Sequence, residues 1–313
     1  MKRTCLVQLD LDGLQTITVD CSAEDFSGRP DYVFHSGLDR LLETLDRFKI
    51  RATLFVVGRD LKDPAKTAKL QAAKALGHEF GNHSDTHPRW FKRLSPAQKR
   101  REIEACHKRV EDALGVSPRG FRAPGYSISA DILPILQEFE YLYDSSVLPS
   151  FYDRLISRAL YRSKPNDNIG FRYEPYSFRM FFRKNRPYRP SLRDVYTPGD
   201  AELWELPVSC MPFLKFPFHA SYVLNSSYLL FRAAEVLLRF ADIPVVYLFH
   251  LKDASSDLEP SDLAKCVFNP ISRSKRQAER CELLERMMER LSAYEVRLNS
   301  EYVQGLMANG NRS

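Results

Sequence analysis

The chain has 313 residues, an apolar fraction of 44% and a formal net charge of +6, with 46 basic against 40 acidic residues. This composition allows a large apolar core, and the charge permits an anionic partner without requiring one. The longest apolar stretch, residues 222–251, is interrupted by charged side chains and cannot span a bilayer. None of the six cysteines forms a CxxC motif, which argues against a cysteine-based metal site and favours reduced thiols.

The first part of the chain alternates short apolar strands with amphipathic helices. Residues 6–9 predict a strand that begins almost at the first residue, and residues 52–57 predict a second, buried strand. Leucines that share one face predict a helix over 37–48 between them. A further helix is predicted over 63–76, and the next strand over 78–82.

The same alternation continues along the rest of the chain and predicts a parallel sheet or barrel. We therefore expect a single catalytic domain over residues 1–313. The later predicted elements are helices over 95–114, 132–139 and 228–240, and strands over 120–122 and 244–250.

Residues 145–203 interrupt the alternation and predict a basic, aromatic-rich insertion. Between residues 151 and 200 there are eleven Lys and Arg, five acids and eleven aromatic residues. Such a segment fits an anionic membrane surface, where arginines meet phosphates and aromatic rings lie at headgroup level. A substrate-covering loop or a second small core is the alternative, which the sequence favours slightly. Residues 272–308 predict a charged C-terminal helix and a closing segment.

Two short motifs, Asp10-Leu11-Asp12 and the HxxxH of His83 and His87, carry the strongest chemical signal. Residues two apart in a strand point to one side, so Asp10 and Asp12 are expected to project together at a strand end. Residues four apart share a face of one helical turn, which would stack the two histidine rings. Alone, an Asp-x-Asp can cap the next segment, and an HxxxH pair is more often solvated. Together they indicate a catalytic metal site.

The donor types at this site suit a borderline cation such as Zn²⁺. Asp12, His83 and His87 would be the ligands, leaving coordination positions open for water. A bound zinc ion lowers the pKa of its water to about 7. Asp10, beside the cation, would stay ionised and accept the proton of that water.

Other polar residues have weaker signals. His250 ends the predicted strand 244–250, where α/β enzymes place their chemistry, and it could protonate a leaving amine. Arg122 is either a surface charge or, near Asp10, the partner that orients the base. Asp144 could equally cap a turn, and the role of His219 stays open. The histidines expected to be structural are His35, His78 and His107.

These motifs, in chain order, resemble those of the polysaccharide deacetylase family, the NodB-homology enzymes of carbohydrate esterase family 4. Residues 77–87, GHEFGNHSDTH, match the family's second motif almost completely. The other similar segments are VQLDLDG at 7–13, ATLFVVG at 52–58, FRAPGYS at 121–127 and LFH at 248–250.

The resemblance implies a distorted seven-stranded (β/α) barrel with a long insertion. It implies the removal of an acyl group, usually acetyl, from an N-acylated amino sugar. It also implies a divalent metal, with Zn²⁺ expected first and Co²⁺, Ni²⁺ or Mn²⁺ as alternatives. The family roles fall on Asp10 as base, Arg122 as its orienting partner, His250 as acid, and Asp12, His83 and His87 as metal ligands.

Two features depart from the usual family pattern. Leu11 separates two aspartates that are adjacent in the usual first motif. The spaced pair is similar to the subgroup that includes peptidoglycan deacetylase-like proteins and the lipid-linked aminoarabinose deformylase, so it bears on the substrate more than on the chemistry. The family's fourth motif, an Asp-Trp element, has no clear counterpart; residues 143–146 or the region of Trp204 are the candidates, and the partner of His250 stays open.

The expected function is a metal-dependent de-N-acetylase that acts on an intracellular or lipid-linked glycan precursor, since no export signal is visible. We expect a cytoplasmic location; peripheral contact with the inner face of the membrane through residues 151–200 is the alternative to a covering loop or small core. The alternatives are a deformylase of a lipid-linked formamido sugar and, from another class, a non-catalytic glycan- or membrane-binding protein on the same fold. Nucleic acid is not expected as a partner, since it would explain neither HxxxH nor Asp10.

Overall fold

A curled parallel sheet surrounded by helices forms the centre of the molecule. The computed structural model describes residues 3–17, 30–88, 90–150, 183–255 and 277–310. Its strands are β1 (Thr4–Asp10), β2 (Thr53–Val56), β3 (Glu79–Asn82), β4 (Gly120–Phe121), β5 (Tyr143–Asp144), β6 (Pro190–Ser191), β7 (Asp194–Pro198), β8 (Trp204–Glu205), β9 (Val245–His250) and β10 (Glu295–Arg297). Its helices are α1 (Leu14–Ile17), α2 (Tyr32–Arg47), α3 (Pro64–Ala75), α4 (Pro96–Leu114), α5 (Leu133–Glu138), α6 (Ala220–Asn225), α7 (Tyr228–Phe240), α8 (Leu251–Ala254), α9 (Gln277–Ser292) and α10 (Asn299–Gly310).

Seven of these strands form the barrel wall in the order β9-β1-β2-β3-β4-β5-β8, and every pair is parallel. The eighth strand of the sheet, β10, pairs with the first half of β1. Beyond β8, the amide of Ser209 donates to the carbonyl of Val246 at 3.0 Å and so links the chain to β9. The predicted distorted seven-stranded (β/α) barrel is confirmed.

The signals that begin and end the helices are present as capping contacts. The carboxylate of Asp63 caps α3 ahead of its proline. Ser95 and Gln98 form a capping box at the start of α4, and Gly115 ends that helix at a φ of 62°, which favours glycine. Capping residues in the local sequence therefore determine where the helices around the sheet begin and end.

The element bounds agree with most of the predictions. The predicted helix over 228–240 is α7, and the strand over 244–250 is β9, one residue shorter. The predicted helix over 37–48 begins five residues earlier, because the side chain of Asp31 caps α2 by accepting from the amide of Phe34.

The C-terminal end of the predicted insertion is joined to the barrel. Residues 151–182 lie outside the described residues, so the extent of the 145–203 insertion stays a prediction. Residues 183–203 contain the antiparallel hairpin of β6 and β7. Tyr188 and Glu205 exchange backbone hydrogen bonds of 3.2 and 2.7 Å, and buried Val195 packs in an apolar cluster with Phe121. This part of the insertion thus extends the core.

The predicted closing segment contains α9, β10 and α10, and residues 272–276 lie outside the described residues. The carboxylate of Glu79 accepts hydrogen bonds from the amide and the hydroxyl of Ser300 in the first turn of α10, at 3.1 and 3.0 Å. Tyr143 donates to the same carboxylate at 2.6 Å. These contacts hold α10 on the strands at the amino-terminal side of the barrel. Among the described helices, none combines the length and apolar character needed to cross a bilayer.

Candidate active site

Polar residues gather where the parallel strands end. Asp10 is the last residue of β1 and His250 the last residue of β9, and these two positions are register partners. His83 directly follows β3, and Arg122 directly follows β4. Because the carboxyl ends of parallel strands meet at one rim, all four side chains lie at that rim.

Asp12, His83 and His87 form a possible site for a divalent metal. The Oδ1 atom of Asp12 lies 3.5 Å from Nε2 of His83 and 3.4 Å from Nε2 of His87. One ligand atom from each residue lies within 4.8 Å of the other two. Ligands about 2.0–2.2 Å from zinc are roughly 3.3–3.6 Å apart at tetrahedral angles. Asp12 Oδ1 is also buried without a hydrogen-bond partner, so the donor set fits a cation.

The hydrogen bond made by His83 prepares its other ring nitrogen for a cation. Nδ1 lies 2.7 Å from the carbonyl oxygen of Arg122, to which it donates when Nε2 carries the lone pair. Burial lowers the pKa of His83, but Asp12 and Asp10 outweigh burial and raise the pKa above its ordinary value. A proton therefore competes with a cation for this ring, and binding of the cation requires its release.

His87 and Asp12 are shifted in the directions that suit ligands. Burial lowers the pKa of His87 to about 4, so the ring is neutral at pH 7. Burial alone would raise the pKa of Asp12, but His87 and His83 hold that pKa below its ordinary range. At neutral pH the trio therefore offers a carboxylate and one neutral imidazole without further proton release.

The segment over residues 83–87 is not helical, so the predicted helical stacking of its histidines is wrong. Ser84 and His87 have φ values of 64° and 55°, in the left-handed region. Asn82 Oδ1 accepts from the amide of Ser84 at 2.8 Å, and Ser84 Oγ accepts from the amide of His87 at 3.1 Å. These side-chain bonds replace the helical ones, and the two rings meet edge to face at 4.9 Å.

Strand alternation also does not explain the placement of Asp12. Strand β1 ends at Asp10, although the amide of Leu11 still donates to Phe55 at 3.1 Å. Asp12 lies in the loop that follows. The amide of Leu14 in the next turn donates to the carboxylate of Asp31 at 2.8 Å. The two aspartates do converge at the rim as predicted, but through a loop that Asp31 fixes.

Asp85 and Thr86, between the two histidines, anchor their loop to α4. Arg109 donates to Asp85 at 2.7 Å, and Glu102 accepts from both the amide and the hydroxyl of Thr86. A Cβ at Gly58 would lie 2.6 Å from Oδ1 of Asp85, so this close approach requires glycine. The loop is thus held from two sides.

Arg122 fixes the orientation of Asp10. The Arg122 side chain is fully buried, and one of its amino groups donates to Asp10 Oδ1 at 2.7 Å. Its remaining donors bind the carbonyl and hydroxyl of Ser145, at 2.8 and 2.9 Å, and Oε1 of Gln8. The guanidinium also lies 4.4 Å from the ring centroid of Phe55. With all three of its guanidinium nitrogens engaged, Arg122 holds one carboxylate oxygen of Asp10 and leaves the other directed elsewhere.

That other oxygen faces His250. Nε2 of His250 lies 3.6 Å from Asp10 Oδ2. On the opposite side of the ring, Nδ1 lies 3.2 Å from Ser221 Oγ and 3.6 Å from Asp253 Oδ2. Asp253 also accepts from the amide of His250 at 2.9 Å and from the Ser221 hydroxyl at 2.7 Å. Burial alone would raise the pKa of Asp253, but His250 lowers it, so this carboxyl is ionised beside the ring.

Asp253 and Ser221 are not among the residues predicted from the sequence. The usable signal is the spacing His-x-x-Asp immediately after a strand, because a residue at the third helical position can reach back to the helix start. Asp253 therefore occupies the place left open for the partner of His250. Replacing Asp253 with asparagine keeps an acceptor for the amide but removes the charge beside Nδ1.

We expect this Asp253→Asn change to lower kcat about 10–100-fold with metal content unchanged, the size of loss seen for outer-shell partners. Initial rates and metal analysis on purified protein would measure both quantities. Ser221→Ala is the matched control, because it removes a hydroxyl but keeps the charge, and we expect less than about a 5-fold loss. An Asp253→Asn enzyme with normal kcat would show that the carboxylate does not assist His250.

Asp144 forms a buried carboxyl pair with Glu205, on the β5–β8 side of the barrel. Ser146 donates to Asp144, and the amide of Val147 donates to Glu205 at 3.0 Å. Burial raises the pKa of Asp144, and burial together with Asp144 raises the pKa of Glu205 well above its ordinary value. The pair therefore holds a proton at pH values where exposed carboxyls have lost theirs.

This proton makes stability depend on pH. The folded pair keeps a proton that the unfolded chain releases above about pH 4, so stability falls as the pH rises from there to the raised pKa, and the loss persists above it. Replacing Asp144 with asparagine removes one of the two carboxyls and with it this difference in protonation between the folded and unfolded states. For each pH we compare the free energy of unfolding of the variant with that of wild type. We expect this difference to be about 2 kcal/mol more favourable to the variant at pH 8 than at pH 5, since one pKa unit equals about 1.4 kcal/mol.

Urea unfolding at the two pH values measures this difference. Asp242→Asn is the control, because the Asp242 side chain is 81% exposed and should give no pH-dependent change. Equal stability differences for Asp144→Asn at both pH values would contradict the shared-proton interpretation.

The remaining histidines agree with their expected structural roles, apart from His219. His78 Nδ1 accepts from the amide of Ala52 at 3.1 Å, and His107 Nδ1 lies 2.9 Å from the Tyr141 hydroxyl. His219 is buried with its ring 5.8 Å from that of His250, and burial lowers its pKa well below the ordinary value. His219 is thus a neutral neighbour of the proposed acid.

A comparison with solved structures identifies the fold. Over 99% of this chain and 92% of the other, it is similar to the crystal structure of a candidate polysaccharide deacetylase from Mycobacterium smegmatis, with a TM-score of 0.64 and 20% sequence identity. This likeness shows the fold, a NodB-type (β/α) barrel.

The sequence then confirms the family resemblance. Residues 22–143 match the model of the polysaccharide deacetylase family, and this region contains His83, His87 and Arg122. The Peptidoglycan deacetylase-like protein FGM2 of Gibberella zeae is 34% identical over 131 residues, 41% of this chain and 36% of that protein. Protein YlxY of Bacillus subtilis, described as uncharacterized, is 30% identical over 101 residues, 32% of this chain and 31% of that protein. The matches thus span about a third of these curated relatives.

Proposed function

We propose that this protein is a metal-dependent de-N-acetylase that hydrolyses the amide of an N-acetylated amino sugar. The observation that carries the proposal is the meeting of two groups at one rim. In the trio of half-buried Asp12, buried His83 and half-buried His87, the ligand atoms lie within 4.8 Å of one another. Asp10, which is bound by Arg122, faces His250 beside them. The match of residues 22–143 to the polysaccharide deacetylase family supports the reaction class.

Asp12, His83 and His87 would hold the metal. When bound, a divalent ion supplies an acidified water and polarises the acyl oxygen. Two imidazoles and one carboxylate suit Zn²⁺ first, with Co²⁺, Ni²⁺ and Mn²⁺ as alternatives. The carbonyl of Arg122 would hold the ring of His83 with Nε2 toward the site.

Asp10 would act as the general base. Its Oδ1 is committed to Arg122, whereas Oδ2 is directed into the site. Because the carboxylate cannot rotate freely, it accepts the proton at one defined oxygen, and this fixed orientation favours proton transfer. Arg122 is a positioning residue for this step.

His250 would act as the general acid toward the amine that leaves. Its Nε2 faces the same region as Asp10 Oδ2, and Ser221 and Asp253 hold the opposite ring nitrogen. The ionised carboxylate of Asp253 beside Nδ1 orients the ring so that Nε2 is the atom that faces the amide. Base and acid therefore approach the scissile amide from the ends of two neighbouring strands.

The proposed substrate is an intracellular or lipid-linked glycan precursor, with a cytoplasmic location at or near the inner face of the membrane. The spaced Asp10-Leu11-Asp12 motif, similar to that of the lipid-linked aminoarabinose deformylase, supports this choice. The same motif supports the second candidate, a deformylase of a lipid-linked formamido sugar. The predicted membrane contact through residues 151–200 stays a prediction, since residues 151–182 lie outside the described residues.

The test is a hydrolysis screen of N-acetyl and N-formyl amino sugars, free and lipid-linked, with Zn²⁺, Co²⁺, Ni²⁺ and Mn²⁺ added to metal-stripped protein. Mass spectrometry of the products distinguishes release of acetate from release of formate. We expect activity only after metal is restored. A protein that binds no metal and hydrolyses none of these substrates would instead be a non-catalytic glycan- or membrane-binding protein on the same fold.

A further inference from the structure

Helix α7 (Tyr228–Phe240) is apolar around most of its circumference, yet the described part of the chain buries only one side of it. The buried side consists mainly of Phe231, Ala234 and Leu238. The opposite side presents four exposed residues at helical spacing, which we call the outer stripe: Leu229, Ala233, Val236 and Phe240. A helix that is apolar on two opposite sides is normally covered on both.

The large apolar side chains of the outer stripe are strongly exposed to solvent. Leu229 is 77% exposed, Val236 43% and Phe240 85%. Single exposed apolar residues are common on protein surfaces, but a run along one helix face marks a binding surface. The outer stripe therefore indicates an occupant that is apolar where it meets the helix.

Arginines border the outer stripe. Arg232 and Arg239 lie along one flank of α7, and Arg186 donates to the backbone carbonyl that follows the helix. Glu235 shares this flank, but it is buried, bound by Arg290 at 2.7 Å and 3.6 Å from Arg232. Two arginines thus face this one carboxylate, and Arg239 lies on the same flank, so the described border of the outer stripe carries a net positive charge.

A second copy of the chain is a poor occupant, because a symmetric contact through the outer stripe would bring these arginines toward one another. The exposed acid just beyond the helix, Asp242, is already paired with Arg3 at 3.5 Å. An occupant with an apolar interior and a negative surface matches both features. A bilayer that contains anionic lipid has this character.

We propose that the outer stripe of α7 docks on an anionic lipid bilayer, with the helix in the plane of the interface. Leu229, Val236 and Phe240 would insert among the acyl chains, and Arg232 and Arg239 would meet the phosphates. The helix joins α6, which carries Ser221 next to the proposed acid, to β9, which ends at that acid. The Leu229 end of the outer stripe therefore lies nearer the catalytic rim than the Phe240 end, which leads into the start of β9.

This surface is centred on α7 and shares only Arg186 with the contact predicted through residues 151–200, and vesicle binding does not depend on hydrolysis. The inference consequently goes beyond the proposed function. Co-sedimentation of the full chain with phosphatidylcholine vesicles, with and without phosphatidylglycerol, tests it. We expect binding to the vesicles that contain phosphatidylglycerol, weakened by salt.

The paired change Leu229→Gln and Phe240→Gln should weaken that binding on the order of 10-fold or more, because two large side chains would no longer insert. Arg239→Glu should weaken it as well, and only on anionic vesicles. Leu76→Gln is the matched control, since Leu76 is 49% exposed at the end of α3, away from this helix. It should bind as the wild type does.

A second measurement does not rely on loss of binding. In the Phe240→Trp variant, the fluorescence of the introduced indole should shift to shorter wavelength when anionic vesicles are added, because the indole enters an apolar environment. Absence of wild-type binding, unchanged binding by the paired variant, or a dimer that the paired variant abolishes would each overturn the proposal. Hydrolysis of a soluble sugar should be unchanged in the paired variant, so failure of docking and failure of the enzymatic proposal are distinguishable.

Discussion

Replacing Asp10 with asparagine is expected to lower kcat roughly 10²–10⁴-fold while metal content stays at the wild-type level. Asparagine has nearly the same shape and still offers an oxygen to Arg122, whose bond to Asp10 Oδ1 is 2.7 Å long. It cannot accept a proton at the position of Oδ2. Steady-state rates on a soluble N-acetylated sugar, with metal measured on the same preparation, give both numbers.

Asp144→Asn is the matched control for this experiment. It is the same chemical change at another buried carboxyl, at the end of strand β5 on the far part of the barrel wall, and we expect kcat within about 5-fold of wild type. If Asp10→Asn turned over substrate as fast as this control, Asp10 would not be the base. If both variants lost activity and metal together, the loss would report damage to the barrel.

Replacing His83 with alanine is expected to reduce metal affinity by more than roughly 100-fold, beyond the loss typical of an outer-shell partner, and to reduce activity with it. The change leaves one imidazole and one carboxylate, and it also removes the bond to the Arg122 carbonyl. Competition with a fluorescent chelator measures the affinity. In the wild type the metal affinity should fall as the pH falls, because protons compete with the metal for the ring of His83, whose pKa is raised.

His35→Ala is the matched control for metal binding. His35 is on α2, where its ring contacts Phe34 with centroids 5.8 Å apart, and it is not part of the trio. We expect this variant to hold metal as the wild type does. A His83→Ala protein that kept full metal content after dialysis against the chelator would remove His83 from the ligand set.

The sheet could be predicted from the sequence because its strands are apolar and bounded by turn or cap residues. Strand β9 and helix α7 are examples: a run of buried residues over Val245–His250 and an apolar helix before it leave little choice of structure. Strand order follows from parallel strand–helix alternation together with the family resemblance. By contrast, β4 and β5 have two residues each, too few for any periodic signal, and the strand predicted over 120–122 is one residue longer than β4.

The site was only partly accessible from the sequence. The motif residues converge as expected, because strand ends share a rim. The conformation of residues 83–87 could not be foreseen, since it depends on side-chain bonds from Asn82 and Ser84 that outcompete a helical turn. Asp253 was hidden for a related reason: its role arises from a single turn of helix directly after β9. Periodicity describes long elements, and both features are short.

Arg122 connects the two halves of the proposed chemistry through different parts of one residue. Its main-chain oxygen steadies His83, and its side chain steadies Asp10. The effects on activity of substitutions at His83 and at Asp10 should therefore not be additive. The backbone just after β4 thus fixes how far the ring of His83 lies from the carboxylate of Asp10. Rim loops other than those that carry Asp12 and residues 83–87 can consequently diverge toward new sugars without disturbing this pair.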